Sequence, residues 1–167
     1  GYTFGGYYTS TGGSGTQYYT ASGASARTWN LTRNITLYAK WTANTYTVVY
    51  NGNGSTSGTT SSSTHAYNTS KALTANGFTR TNYNFNGWNT KADGTGTSYT
   101  NSQSVINLTS TNNATVTLYA QWKAKDLTPP TCTTSGTSTS WTTGSRTITY
   151  GCSDASGCKS GKSGGSK

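Results

Sequence analysis

Ile35-Thr36-Leu37-Tyr38-Ala39-Lys40-Trp41 returns 81 residues later as Val116-Thr117-Leu118-Tyr119-Ala120-Gln121-Trp122. In both copies the apolar side chains fall on every second residue, the period of a strand with one face turned inward. Two copies with one alternation set the class as mostly β. At the same offset Tyr2-Thr3-Phe4-Gly5-Gly6-Tyr7 matches Tyr83-Asn84-Phe85-Asn86-Gly87-Trp88. Thr9, Gly13, Gly15, Thr16 and Tyr18 match Thr90, Gly94, Gly96, Thr97 and Tyr99 without a gap. Self-similarity at a fixed period marks an array of structural modules. Gly1 aligns with Asn82 and no Met occurs, so the expectation is a chain that opens part-way through a module of a longer protein.

The period divides the chain. Residues 1–41 read as the C-terminal half of one repeat, Thr42 to Thr45 as a connector, and residues 46–122 as a complete repeat. That repeat opens on Tyr46-Thr47-Val48-Val49-Tyr50, where Tyr46, Val48 and Tyr50 share a face. Asn51-Gly52-Asn53-Gly54 then supplies two tight-turn pairs. Ser55 to Thr64 carries no core-forming residue and reads as loop. Tyr67 to Leu73 reads as a short turn of helix. Residues 123–130 are a linker, stiffened by Pro129-Pro130. Beyond it the composition changes: all three cysteines appear, Thr147 to Tyr150 reads as a strand, and Ser160 to Lys167 as a disordered tail.

Composition narrows the class of function. Charged residues are 9%, against roughly 25% in an average soluble domain, and Thr, Ser, Gly and Asn take their place. These residues suit strands and turns rather than helices. The net charge of +9 permits attraction to polyanions, but Lys40, Lys71, Lys91, Lys123 and Lys125 form no dense run. No specific nucleic-acid function is expected. No stretch reaches the roughly 18 apolar residues of a membrane span, so no membrane insertion is expected in this segment.

The Tyr46-to-Gly54 opening, the Tyr-x-Phe-x-Gly-aromatic centre and the Thr-Leu-Tyr-Ala-x-Trp ending resemble the Listeria–Bacteroides repeat, the internalin B-repeat type. Two positions depart from that pattern: Tyr7 stands where the family carries Trp, and Asn82 where it carries Gly. The resemblance covers about 1–122 and implies tandem small β-grasp-like modules, each a sheet plus one short helix. It implies a non-enzymatic stalk of a secreted or wall-attached bacterial surface protein, at the cell envelope, with a contribution to adhesion. The partners it implies are a host or bacterial surface glycan or protein, a wall polymer, and the adjoining repeats of the same chain. Residues 131–167, around Cys132 and Cys152 to Cys158, resemble the start of a bacterial immunoglobulin-like module. An exported protein favours disulfides; Cys152–Cys158, closing a short loop, is the preferred pairing, and Cys132–Cys152, stapling two strands, the alternative.

The aromatics have two readings. With 30% hydrophobic residues a module this small has little else to bury, and aromatics carry the largest apolar area. Tyr46, Val48, Tyr50, Tyr83, Phe85, Trp88, Val116, Leu118, Ala120 and Trp122 are therefore the expected core. Tyr99, Tyr119 and Lys91 are the expected ligand-facing set if the module grips glycan or anionic wall polymer. Catalysis lacks parts. His65 is the only histidine and Asp93 the only acid of the complete module, so neither paired-carboxylate chemistry nor a two-imidazole metal site can be built. Gly157 to Ser163 has the wrong spacing for a phosphate loop, and Asn51, Asn53 and Ser55 lack the carboxylates of a calcium loop. No catalytic residue, cofactor or metal is expected.

Overall fold

The structure, a computed structural model, describes residues 1–135 and 149–154. It divides into two units, Gly1–Lys123 and Ala124–Lys167. In the first unit the strands are β1 (Tyr2–Tyr8), β2 (Gln17–Tyr19), β3 (Tyr38–Ala43), β4 (Thr45–Asn51), β5 (Ser57–Gly58), β6 (Ser63–Ala66) and β7 (Lys71–Ala72). They continue with β8 (Phe78–Thr79), β9 (Tyr83–Asn89), β10 (Ser98–Tyr99), β11 (Ser104–Val105) and β12 (Thr115–Ala124). One sheet has the order β2-β1-β3 and the other β10-β9-β12-β4-β6, while β5 pairs with β8 and β7 with β11.

The second sheet follows from the alternation. β4 lies between two partners, parallel to β12 and antiparallel to β6. Its inward Tyr46 and Val48 are buried, as are Leu118 and Ala120 of β12. Trp88 of β9 sits among them, fully buried, with its ring centroid 4.8 Å from that of Tyr50 and 4.9 Å from that of Phe85. Leu73 and Val105 complete the buried cluster, and Tyr50, Phe85, Val116 and Trp122 pack on it half-buried. Tyr83 lies outside the cluster, half-buried, with the Arg80 guanidinium 4.0 Å above its ring.

The two copies share a backbone irregularity. Gly6 and Gly87 stand at equivalent positions with φ of 103° and 112°, a region side chains disfavour. A Cβ on Gly87 would lie 2.7 Å from the Tyr99 carbonyl oxygen of the neighbouring strand. The register of β1 on β3 slips at this point, between Phe4 and Tyr7, as expected of a bulge.

Four expectations are corrected here. Residues 67–73 form no helix: Asn68 turns the chain at φ 60°, and β7 then pairs with β11. A left-handed residue cannot propagate a helix, and the Leu73 N–H donates to the Gln103 carbonyl instead. Among the described residues the only helical turn is a 3-10 turn at Thr11–Gly13. The Ser/Thr run from Ser55 to Thr64 is not all loop, since it contains β5 and enters β6. The inward residue of β6 is His65, just beyond that run. The Thr42–Thr45 connector is mostly strand too: β3 runs to Ala43 and β4 starts at Thr45, leaving Asn44 alone between them. At the other end β12 extends through Lys123 and Ala124, into the segment read as linker.

In the second unit β13 (Thr131–Ser135) and β14 (Thr149–Ser153) pair antiparallel, with Cys132 opposite Cys152. The disulfide joins those two, at a Cα–Cα distance of 4.2 Å, and not Cys152 with Cys158. Directly opposed residues of a ladder already have the short Cα separation that a disulfide requires. Cys158, the Gly157–Ser163 run, Thr147, Ile148 and the Ser160–Lys167 tail lie outside the described residues.

Candidate functional site

For a chain built of repeats, the candidate site is the junction between neighbours. Here it centres on Asn44, which is 9% exposed and uses all four of its polar groups. Its backbone N–H donates to the Gly1 carbonyl (2.9 Å) and its carbonyl accepts from Tyr67 N–H (2.8 Å). Its side-chain oxygen accepts from Thr3 Oγ1 (2.6 Å), and its Nδ2 donates to the Ser110 carbonyl (2.7 Å). Two bonds thus reach the first repeat and two the second. Each group is satisfied, as buried polar groups require.

Around this residue the two repeats touch directly. The Tyr2 and Tyr67 rings meet edge-on with centroids 5.6 Å apart. Gly1 rests on the Tyr67 ring so closely that a Cβ there would overlap it. The family-type glycine that the second copy replaces with Asn82 is kept where a neighbouring repeat presses on it. Thr45 fastens the start of β4 to the loop beyond: its N–H donates to Asn112 Oδ1 (3.0 Å) and its carbonyl accepts from Asn113 N–H (2.7 Å). Asn44 was missed from sequence because the joint occurs once. Its equivalent 81 residues on is Lys125, so no repeated pattern marks it.

The residues weighed for chemistry have structural partners. His65 is 1% exposed and its ring stacks on that of Tyr46 at 5.5 Å. Its Nε2 is 2.9 Å from Ser63 Oγ, which lies 3.3 Å from Tyr50 Oη, and that oxygen accepts from Thr74 N–H at 2.7 Å. Burial, and then the Lys71 charge, hold its pKa below the ordinary 6.5. The Asp93 carboxylate caps its own turn, accepting from Thr95 N–H (3.0 Å) and Thr95 Oγ1 (2.8 Å). Those bonds lower its pKa.

The ligand-facing set is only partly exposed. Lys91 is at the surface, Tyr119 is half-buried, and Tyr99 packs half-buried on the core. Burial raises the Tyr99 hydroxyl pKa, with Tyr46 adding to the effect. The loop that carries Lys91 is closely tied down. Asn53 Nδ2 donates to the Ala92 and Ala120 carbonyls (2.8 and 2.9 Å), and the fully buried Asn89 bonds Lys91 N–H, Gly94 and Gly96. No helix among the described residues is long and apolar enough to cross a membrane.

Comparison with known proteins agrees with the internal repeat. A protein of Evansella cellulosilytica, named as a membrane protein, is 34% identical over 99 residues, which are 58% of this chain and 14% of that relative. The chain therefore spans a small part of the relative it matches. No solved structure matches it significantly. The profile of the Listeria-Bacteroides repeat domain matches residues 1–40 and again 46–121, two stretches that break at the Asn44 joint. Those stretches take in well over half of its length, and the chain belongs to the Listeria-Bacteroides repeat domain family.

Proposed function

We propose that this chain is a non-enzymatic spacer: a rigid stretch of a secreted or wall-attached bacterial surface protein that holds a distal part away from the cell. The observation that carries this reading is the Asn44 joint, where strand passes to strand through one residue and both repeats share its bonds. Repeat arrays gain stability from the interfaces between neighbours, and the four bonds of Asn44 form such an interface here. The family and the membrane-protein relative support a place at the cell envelope. The segment after Pro130, two disulfide-linked strands, fits the start of an immunoglobulin-like module that continues the stalk.

Residual dipolar couplings on the intact chain test the spacer reading. One alignment tensor is expected to fit residues 2–43 and 46–122 together. Asn44→Ala is expected to split it into two while each repeat stays folded. Two independent tensors in the unaltered chain would overturn the reading.

A second reading is glycan or anionic wall-polymer binding through Lys91, Tyr99 and Tyr119, with a part in adhesion. The net charge of +9 and the exposed Lys91 favour it. Saturable binding that survives physiological salt would support it, whereas attraction lost on adding salt would be net charge alone.

A further inference from the structure

The complete repeat begins and ends on neighbouring strands. β4, where the chain enters from Asn44, and β12, by which it leaves, lie side by side in the order β10-β9-β12-β4-β6. They are parallel, with Thr47 to Asn51 opposite Thr115 to Tyr119. The first residue of β4 and the last residue of β12 therefore stand at opposite ends of the ladder. A pull along the chain slides the two strands past each other. The bonds of a parallel pair are evenly spaced along it, so they carry such a load together. An antiparallel pair loaded at one end would instead open one bond at a time.

Further bonds lengthen this seam at both ends. Ahead of the ladder, Asn44 Nδ2 donates to the Ser110 carbonyl (2.7 Å), Thr45 N–H to Asn112 Oδ1 (3.0 Å) and Thr47 N–H to the Ala114 carbonyl (2.9 Å). Beyond it, Trp122 Nε1 donates to the Gly52 carbonyl (2.9 Å) and Asn53 Nδ2 to the Ala120 carbonyl (2.9 Å). The entry stretch 44–53 is thus fastened along its length to the exit stretch 110–122. The seam is also covered. β9 and β6 flank it within the sheet, and Val48, Leu118 and Ala120 on its inner face are fully buried, as is Trp88. Water is the competitor that takes over a backbone bond once it stretches, and on that face it has no access.

We propose that the β4–β12 seam is a force-bearing clamp, which makes the complete repeat resist tension along the chain far better than tension in other directions. The proposal rests on the spacer reading, because only a segment held at one end and loaded at the other is under tension. It goes beyond that reading in kind. A spacer needs a stiff joint between repeats, which the bonds of Asn44 to Gly1 and Thr3 supply. A clamp needs strength within one repeat, which the ladder from Thr47 to Asn51 supplies.

Single-molecule force clamping of the intact chain tests it in two geometries. The first has handles at both chain ends. The second has one handle peptide inserted between Ser61 and Ser62, which are exposed and outside any strand, and the other at the C-terminal end. Ser63 pairs with Val48, so this load enters β6 at the end of the sheet where β12 leaves, and peels β6 from β4 pair by pair. End to end, unfolding of the complete repeat is recognised by a length gain of about 250 Å, from about 80 residues at roughly 3.5 Å each less the folded span. Several bonds must then fail together, each worth a factor of a few in rate, so the lifetime at a given force is expected to be about 100-fold longer than in the second geometry. Trp122→Phe removes the bond to Gly52 and keeps a ring. It should shorten the end-to-end lifetime about fivefold and leave the other unchanged. If the insertion prevents folding, Trp122→Phe pulled from the chain ends carries the test alone. Lifetimes within about tenfold of each other in the two geometries, or an end-to-end lifetime that Trp122→Phe leaves unchanged, would overturn the proposal. Neither result bears on the alignment tensors by which the spacer reading stands or falls, so the two fail separately.

Discussion

Trp88→Ala and Tyr7→Ala remove aromatic rings from equivalent positions of one repeat, and their consequences should differ severalfold. Trp88 has no exposed surface and packs on Tyr50, Phe85 and, at 6.3 Å, Phe78. An aromatic of this kind buries roughly 150–250 Å², and at about 25 cal/mol per Å² that amounts to about 4–6 kcal/mol. Alanine keeps the share of Cβ, so the expected loss is about 3–5 kcal/mol, in line with large aromatic truncations in cores. Trp88 Nε1 makes no hydrogen bond within the protein, so the loss is one of packing. Tyr7 is 41% exposed and meets chiefly Phe4, edge-on at 5.2 Å. Its removal should cost about 1 kcal/mol, the scale of a single aromatic pair. The assay is amide exchange under native conditions, read at β4 for the complete repeat and at β1 for the first, so that each repeat reports its own opening. Trp88→Leu serves where the alanine variant retains too little fold, with a smaller loss in the same direction. Costs within about 1 kcal/mol of each other would refute the reasoning, because the two positions would then be equally buried.

Acid should weaken the complete repeat through His65. Its folded pKa lies below the ordinary 6.5, so the unfolded chain binds the proton more readily. The stability it contributes is therefore full above about 6.5 and falls as pH drops below it, by at most ~1.4 kcal/mol per pH unit. His65→Gln should flatten urea midpoints between about pH 5 and 7, a range in which carboxylates are already ionised; an unchanged slope in that variant would rule His65 out. Gly87→Ala places a Cβ against the Tyr99 carbonyl at φ 112°, and a urea midpoint shift worth about 2–3 kcal/mol is expected from such strain. A shift below a third of that would mean that the bulge relaxes freely. Non-reducing peptide mapping should recover Cys132 linked to Cys152; a Cys152–Cys158 peptide would contradict the register of β13 on β14.

How much of this was readable in advance depends on what each residue answers to. β4, β9 and β12 are legible because Tyr46, Val48, Trp88, Leu118 and Ala120 alternate, and alternation reports one buried face. β6 is not, since its inward residue is a histidine preceded by Ser63 and Thr64. A polar residue that buries by stacking on Tyr46 and bonding Ser63 leaves no apolar period to find. The supposed helix at 67–73 failed for a related reason: the turn depends on Asn68 adopting a left-handed conformation, which Asn tolerates without requiring, so the residue type alone does not announce it. Asn68 N–H is held by Asn107 Oδ1 at 2.5 Å, from a residue 39 positions away. The cysteine pairing turned on strand register, which spacing along the chain does not encode.

The joint is the case in which sequence and structure inform each other most. At the end of the first repeat Gly1, Thr3 and Asn44 supply a bare backbone, a hydroxyl donor and an amide that both accepts and donates. Their equivalents at the end of the second repeat are Asn82, Asn84 and Lys125. Asn82 brings a side chain where Gly1 must lie flush on an aromatic ring. Lys125 brings three donors and no acceptor, so it cannot take the bond that Asn44 takes from Thr3. The same joint therefore cannot be made twice in this chain, whatever follows, and the change in composition at Leu127-Thr128-Pro129-Pro130 falls just where the coupling residues run out. A repeat keeps its core residues because it must fold. On the spacer reading, the loss of Gly and Asn together at these two positions ends the run that this joint can couple.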